Sequence, residues 1–120
     1  MSEFPPHNEP AAIDLRALVA QAAGQGPLWT HDGEDLNVNV LVWPQDAGVG
    51  EHINSEVEVL IIGVEGEGLV RIDGEDHEVR PGILLIIPKG ARRTIQSQSA
   101  RFSYVSVHRR RAGLRPTPRV

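Results

Sequence analysis

Two short, nearly continuous apolar runs, at residues 59–64 and 83–87, place the strongest constraint on the fold of this chain. Both runs are apolar on either face of a strand, so both faces need to be covered. Elsewhere, as in residues 36–42, apolar and polar residues alternate, which is the pattern of a half-buried strand. In an isolated sandwich of two sheets the outer face would be wet. The runs therefore predict that a second copy of the chain covers it, in a homodimer.

The remaining pattern favours many short strands over long helices. Nine prolines and twelve glycines interrupt the 120 residues. Residues 69–79 are typical of a hairpin with its turn at Asp73-Gly74, residues 91–97 and 102–107 are the last two predicted strands, and residues 44–50 are predicted to be a loop. Turns roughly every 8–12 residues predict a single all-β sandwich or barrel.

The N-terminal part differs from this pattern. Residues 1–12 are proline-rich and predict a flexible arm. Residues 13–23 predict a short helix, because Leu15, Leu18, Val19 and Ala22 follow the spacing of an amphipathic stripe that would dock on the sheet. The expected organisation is an arm at 1–12, a domain at 13–108 and a basic tail at 109–120.

Composition excludes several classes of function. The chain has no cysteine, so disulfides, cysteine zinc sites and thiol nucleophiles are ruled out. Without a signal peptide or an apolar membrane span, we expect a cytoplasmic protein with no membrane partner. The net charge is −4, yet the end of the chain is rich in arginine. Because no nucleic-acid module accompanies this tail, we expect it to be solvated and to bind no nucleic acid.

Two segments carry a family resemblance. Residues 48–68, GVGEHINSEVEVLIIGVEGEG, resemble the first cupin motif: His, one residue, His, three or four residues, Glu, and a strand ending at a glycine. Residues 81–93, PGILLIIPKGARR, resemble the second motif, with Gly82, Pro88 and Gly90 at the expected spacing before a final His position. The resemblance covers about residues 36–108. It implies a jelly-roll β-sandwich or barrel with a short N-terminal helix.

The resemblance also implies where a metal would bind. In metal-binding cupins three His and one Glu at these positions hold a transition ion. Here they correspond to His52, Asn54, Glu58 and Arg93, and the first, second and third of these share one strand parity that would point into the barrel. Asn is a poor ligand and Arg repels a cation. The glycine that closes the strand after Glu58 also comes one residue late, at Gly66.

The predicted pocket therefore consists of His52, Asn54, Glu58 and Arg93, and no cofactor is expected in it. Two interpretations remain open. In one, Arg93 binds the carboxylate or phosphate of a small anionic molecule. In the other, Glu58 or Glu56 pairs with Arg93 across the barrel and closes it. A transition metal bound by His52, Asn54 and Glu58 is a further alternative.

Three other residues could edge the pocket. They are Glu56, and Tyr104 and His108, which share a parity on the last strand. Trp43 has the opposite parity from Leu36, and we expect it to pack in a subunit interface or under a loop.

The most direct functional prediction is binding of a small molecule, of anionic character, without a metal. The alternative is a metal-dependent cupin enzyme of the dioxygenase or isomerase type, and a third is a closed interaction module. The sequence does not identify catalytic residues, a ligand or a reaction, because cupin folds host many unrelated functions.

Overall fold

A computed structural model of the protein describes residues 10–110. Within this range the chain forms one helix and nine strands, which we number in chain order: α1 (Leu15–Ala20), β1 (Gly26–Asp32), β2 (Leu36–Pro44), β3 (Gly48–Ile53), β4 (Val59–Glu65), β5 (Gly68–Ile72), β6 (Glu75–Val79), β7 (Leu84–Ile87), β8 (Arg92–Ser97) and β9 (Arg101–Arg109).

The strands form two antiparallel sheets. One has five strands in the order β1-β2-β9-β4-β7, and the other has four in the order β3-β8-β5-β6. Consecutive strands cross repeatedly from one sheet to the other, so most sheet neighbours are distant in sequence, as in a jelly roll. This confirms the all-β fold with a short N-terminal helix. The segment 44–50 is not entirely a loop, because β3 already begins at Gly48.

The helix is shorter than predicted and lies on the outer face of the five-stranded sheet. Asp14 caps it, since its Oδ1 accepts a hydrogen bond from the Ala17 amide at 3.1 Å. Its buried residue Val19 packs with Val40 of β2 and Val105 of β9. Arg101 donates a hydrogen bond to the Val19 carbonyl, which fastens the end of α1 to the sheet.

The same outer face carries two apolar rows that cross four strands. One row is Val38, Val107, Leu60 and Ile86, and the other is Val40, Val105, Ile62 and Leu84. The helix covers part of these rows, where Val19 packs with Val40 and Val105 and where Ile62 of β4 is partly buried beside them. At the other end, on the edge strand β7, Leu84 and Ile86 are 56% and 45% exposed. We call the part away from the helix, formed by Leu60, Leu84 and Ile86, the bare face.

The main core lies between the two sheets. Its largest members are Phe102 and Tyr104 of β9, whose ring centroids are 5.0 Å apart. Gly68 lies against the Phe102 ring, so that a Cβ there would collide with it. Trp43 packs against this core and donates from Nε1 to the Tyr104 hydroxyl at 3.0 Å. Trp43 therefore faces the core between the sheets, and its expected place in a subunit interface or under a loop stays a prediction.

The predicted terminal arm and tail are only partly covered by the structure. Residues 1–9 of the arm and 111–120 of the tail lie outside the described residues, while Arg109 is the last residue of β9. Across residues 10–110, no helix has the length and apolar character needed to cross a membrane.

Candidate functional site

A cavity of about 290 Å³ lies between the two sheets. It is the interior of the barrel, because both sheets contribute the inward-facing residues of their strands. The lining consists of Pro27, Asn39, Leu41, Val49, His52, Asn54, Val59, Ile61, Ile87, Arg93, Ile95, Tyr104, Ser106 and His108. Three of the four predicted pocket residues, His52, Asn54 and Arg93, are among them, so the structure brings these three together.

The cavity is polar at one end and apolar at the other. Along β8 the lining changes from Arg93 to Ile95, and along β9 it changes from His108 and Ser106 to the buried Tyr104. The polar residues of both sheets meet near the connection between β3 and β4, where Asn54 lies. A molecule that fills this space would therefore meet polar groups at one end and aliphatic side chains at the other.

Among the lining residues that the structure describes, Arg93 is the one with a permanent charge. It pairs with His52 across β3 and β8 and with Ile72 across β5 and β8, and it is only 3% exposed. Its Nε donates to the Ala91 carbonyl at 3.4 Å. Arg93 therefore places a permanently charged, donor-rich group in the wall of the cavity.

Asn54 presents a donor, not an acceptor. Its Oδ1 accepts hydrogen bonds from the backbone amides of Glu56 and Val57, at 2.9 and 3.2 Å, which fixes the orientation of the amide group. The remaining atom, Nδ2, is buried and has no hydrogen-bond acceptor among the described residues. A buried donor of this kind is expected to have a partner such as a water, an ion or a ligand.

Two histidines lie at the polar end. His52 is exposed, and its Nδ1 is 2.9 Å from the Gly50 carbonyl oxygen. An irregularity in the pairing of β3 with β8 between Val49 and His52 lets both of these residues line the cavity. His108 lines the cavity from the opposite sheet, with its Nδ1 2.8 Å from the Arg109 carbonyl oxygen.

Glu58 does not face the barrel, contrary to the parity argument. It is exposed and borders a different hollow on the outside of the five-stranded sheet, together with Leu60 and Arg109. Its neighbour Val59 lines the cavity instead. The physical reason is the connection after Asn54, which turns the chain so that parity counted from β3 does not continue into β4.

Glu56 also lies outside the lining and is exposed, so neither predicted carboxylate partner reaches Arg93 across the cavity. The internal ion pair between Arg93 and Glu58 or Glu56 is therefore wrong. One sequence signal pointed to this result. If the motif is counted backwards from the late Gly66, the position of the carboxylate falls on Val59.

Sequence reasoning missed Asn39 and Ser106, which are register partners on β2 and β9 and line the polar end. Both polar atoms of the Asn39 side chain already have hydrogen-bond partners. Its Oδ1 accepts from Thr30 Oγ1 at 2.7 Å, and its Nδ2 donates to Asn37 Oδ1 at 2.6 Å. The alternation of Asn37 and Asn39 with valines was the available signal. It does not tell which face of the strand is inside.

Tyr104 lies at the edge of the predicted pocket and forms part of the apolar end. Burial raises the pKa of Tyr104 to about 12, and the hydrogen bond donated by Trp43 opposes this rise. The phenol is therefore neutral near pH 7. Within residues 10–110, no Asp or Glu lines the cavity.

The described residues do not fit the transition ion that metal-binding cupins hold. The four corresponding positions carry His52, Asn54, Val59 and Arg93, which offer a single imidazole and no carboxylate. The one amide oxygen, Asn54 Oδ1, already accepts two backbone hydrogen bonds. Between residues 10 and 110 no group of three or more His, Cys, Asp or Glu could hold a metal ion. The alternative set of His52, Asn54 and Glu58 has weaker support, because Glu58 does not line the cavity with the other two.

Comparison with known proteins agrees with this architecture. The model of the cupin domain family matches residues 38–108, and the chain belongs to that family. A comparison with curated protein sequences gave no match.

Solved structures share the fold. TT1209 from Thermus thermophilus has a TM-score of 0.70 at 20% identity over 83% of this chain and 97% of its own. BH2720 from Bacillus halodurans has a TM-score of 0.73 at 19% identity over 86% of this chain and 83% of its own. The cupin protein BF4112 from Bacteroides fragilis is 27% identical, with a TM-score of 0.57 over 67% of this chain and 69% of its own.

Proposed function

We propose that this cupin binds a small anionic molecule in its barrel and does so without a metal. The observation that carries the proposal is that the buried guanidinium of Arg93 lines the cavity at the same end as the buried amide of Asn54, with no Asp or Glu among the described lining residues. A planar guanidinium can donate two parallel hydrogen bonds to a carboxylate or phosphate. The buried Nδ2 of Asn54 supplies a further donor at the same end.

The alternative of a metal-dependent dioxygenase or isomerase has weaker support. Such chemistry would need several imidazole and carboxylate ligands around one ion, and the corresponding positions hold Asn54, Val59 and Arg93. The third interpretation, a closed module, has lost its main support, because the carboxylates that would close the barrel lie outside it.

We also propose that the bare face is the contact surface of a homodimer. Neighbouring apolar side chains that remain exposed mark an interaction surface, and Leu84 and Ile86 on the edge strand β7 are 56% and 45% exposed. The hollow beside it is bordered by one acidic residue, Glu58, and one basic residue, Arg109. Around a two-fold axis, each of these could meet the opposite charge on the other copy. The cytoplasmic location stays a prediction.

Thermal unfolding in the presence of small anions tests the proposed binding. We expect phosphate, sulfate or simple carboxylates to raise the unfolding midpoint of the parent protein, because a ligand bound only by the folded state stabilises it. The Arg93→Gln variant should lose this response. Arg92→Gln is the matched control, since Arg92 is exposed on the opposite face of β8 and pairs with Glu51 at 3.0 Å. Equal responses in both variants would contradict the proposal.

Metal titration by calorimetry provides the second half of the test. The parent should not bind Zn²⁺, Ni²⁺ or Fe²⁺ in the barrel. Binding at about micromolar affinity that His52→Ala abolishes would favour the enzyme alternative. The variant Asn54→His/Arg93→His has three imidazoles but no carboxylate. We therefore expect Asn54→His/Val59→Glu/Arg93→His to bind these ions more tightly than the double variant.

A further inference from the structure

We infer that Asn54 selects the ligand of the barrel by polarity. Its side chain takes a hydrogen-bond acceptor, such as a carboxylate, phosphate or carbonyl oxygen, and rejects a donor at the same place. This inference rests on the proposed function and assigns one contact of its ligand. It follows from the way the fold holds Asn54 and from the hydrogen bonds that the side chain has already made.

The fold holds the Asn54 amide in one orientation. The residue lies between β3 and β4, and its backbone carbonyl accepts from the Gly90 amide at 2.7 Å, which ties it to the turn before β8. Its Oδ1 accepts from the backbone amides of Glu56 and Val57. If the side-chain amide were flipped, Nδ2 would face these two backbone donors. Nδ2 is therefore the atom of the amide that is left for the cavity.

The fixed Nδ2 can only donate. It is buried and has no acceptor among the described residues, although a buried donor ordinarily has one. A ligand oxygen would supply the acceptor without any rearrangement of the turn. A ligand N–H or O–H at this place would bury two donors against each other, and both would lose the hydrogen bonds that water gives them. Asn54 therefore distinguishes acceptors from donors.

The two histidines at the same end have the opposite polarity. The Nδ1 of His52 donates to the Gly50 carbonyl and that of His108 to the Arg109 carbonyl, because a carbonyl oxygen can only accept. In the neutral rings Nε2 is then an acceptor, which can take a hydroxyl or N–H of a ligand. The cavity can therefore admit a donor elsewhere on the ligand, whereas the position at Asn54 admits an acceptor only.

Acetate and acetamidinium test the inference on the parent protein. The two ions have the same planar shape, but acetate presents two acceptors and acetamidinium presents only donors. We propose to titrate each into the isotope-labelled parent at constant ionic strength and to follow the side-chain amide signals of Asn54 by NMR. Acetate should shift these signals, because its oxygen accepts from Nδ2. Acetamidinium should leave them unchanged.

The variant Asn54→Asp exchanges this one donor for an acceptor. One carboxylate oxygen can still accept from the turn amides, while the other replaces Nδ2. Acetate should bind at least about tenfold more weakly than to the parent, and acetamidinium should bind more tightly. Asn37→Asp is the matched control, since it adds the same charge outside the cavity lining and can still accept from Asn39. It should keep the preference of the parent.

The outcomes separate this inference from the proposed function. Suppose that acetate or phosphate binds and that Arg93→Gln loses this binding, but the Asn54 signals do not move and Asn54→Asp binds acetate like its control. The selection by Asn54 is then wrong, and the anion receptor stands. Equal losses of acetate binding in both Asp variants would mean that charge alone acts, which would also overturn the inference. If neither anion binds at about 100 mM, both fail. The NMR titration uses the parent alone, so it decides even if Asn54→Asp does not fold.

Discussion

The inner and outer faces of β4 and β7 carry similar side chains but have different surroundings. On β7, Ile87 points between the sheets and is 1% exposed, whereas its neighbour Ile86 points outward and is 45% exposed. On β4, Ile61 belongs to the main core, while Ile62 lies beside the helix-covered part of the outer face. The inner face is covered by the chain itself. The outer face is covered by α1 over only part of its width, so the same apolar pattern serves folding on one side and, in our proposal, association on the other.

The pair Ile87→Ala and Ile86→Ala should give the largest difference between the two faces. Truncating the buried Ile87 removes transfer free energy and leaves a cavity, so we expect it to lower the free energy of unfolding by about 2–4 kcal/mol. Ile86→Ala should lower the free energy of unfolding of a dilute monomer by less than about 1 kcal/mol. Urea unfolding of both variants measures the difference.

Repeating the unfolding measurement at several protein concentrations gives a second test with the same two variants. If the bare face is the dimer contact, the cost of Ile86→Ala should increase with protein concentration, since dimer formation adds to stability by mass action. The cost of Ile87→Ala should change much less. Equal costs for both variants at every concentration would mean that the two faces are not as different as their exposure indicates.

Alkaline pH should lower the stability that the inner face contributes, because Tyr104 is buried there. Tyr104 has a folded-state pKa of about 12 against an ordinary value of 10.0, because burial disfavours the phenolate. A raised folded pKa stabilises the fold fully below pH 10, and this contribution is lost as the pH rises towards 12. A difference of about 2 units corresponds to about 2–3 kcal/mol.

Absorbance of the phenolate gives a direct measurement, because Tyr104 is the only tyrosine of the chain. Its midpoint should be about 12 in the folded protein and near 10 in urea. The variant Tyr104→Phe should remove this part of the loss of stability between pH 10 and 12. A midpoint near 10 in the folded protein would show that the hydroxyl is reached by water.

The sequence predicted the fold better than the site. Its apolar runs and turns were sufficient to predict an all-β fold, because strand periodicity and turn residues are local properties. The site depends on which face of each strand is inside, and that is decided by packing. In β2 the valines face α1 and Asn39 faces the cavity, which alternation alone does not distinguish. For Glu58 and Val59, the turn after Asn54 shifts the parity.

Introducing a charged side chain on the bare face should dissociate the proposed dimer. We expect Ile86→Asp to weaken dimerisation at least tenfold, equivalent to about 1.4 kcal/mol, because each copy would bury a carboxylate against the other. Ile53→Asp is the control, since Ile53 is 52% exposed but belongs to the other sheet. Light scattering at about 50 µM should show a dimer for the parent and the control. A parent that is monomeric there, or a control that dissociates equally, would refute the proposed contact surface.

The smallest effect should come from an ion pair on the outside of the four-stranded sheet. Arg71 and Asp76 face each other across β5 and β6, and the guanidinium donates to both carboxylate oxygens at 2.7 and 3.3 Å. The hydrogen bond from Arg71 lowers the pKa of Asp76 below its ordinary value. This pair therefore contributes stability above the unfolded pKa of Asp76 and loses it as the pH falls through the lowered folded value. Both side chains are well exposed, at 57% and 45%, so water and salt screen the attraction.

We expect Asp76→Asn to leave the urea midpoint at pH 7 nearly unchanged and to flatten the decline in stability only at acid pH. A large loss at pH 7 would mean that this outer surface is less solvated than its exposure indicates, and the contrast with the buried Arg93 would then need another explanation.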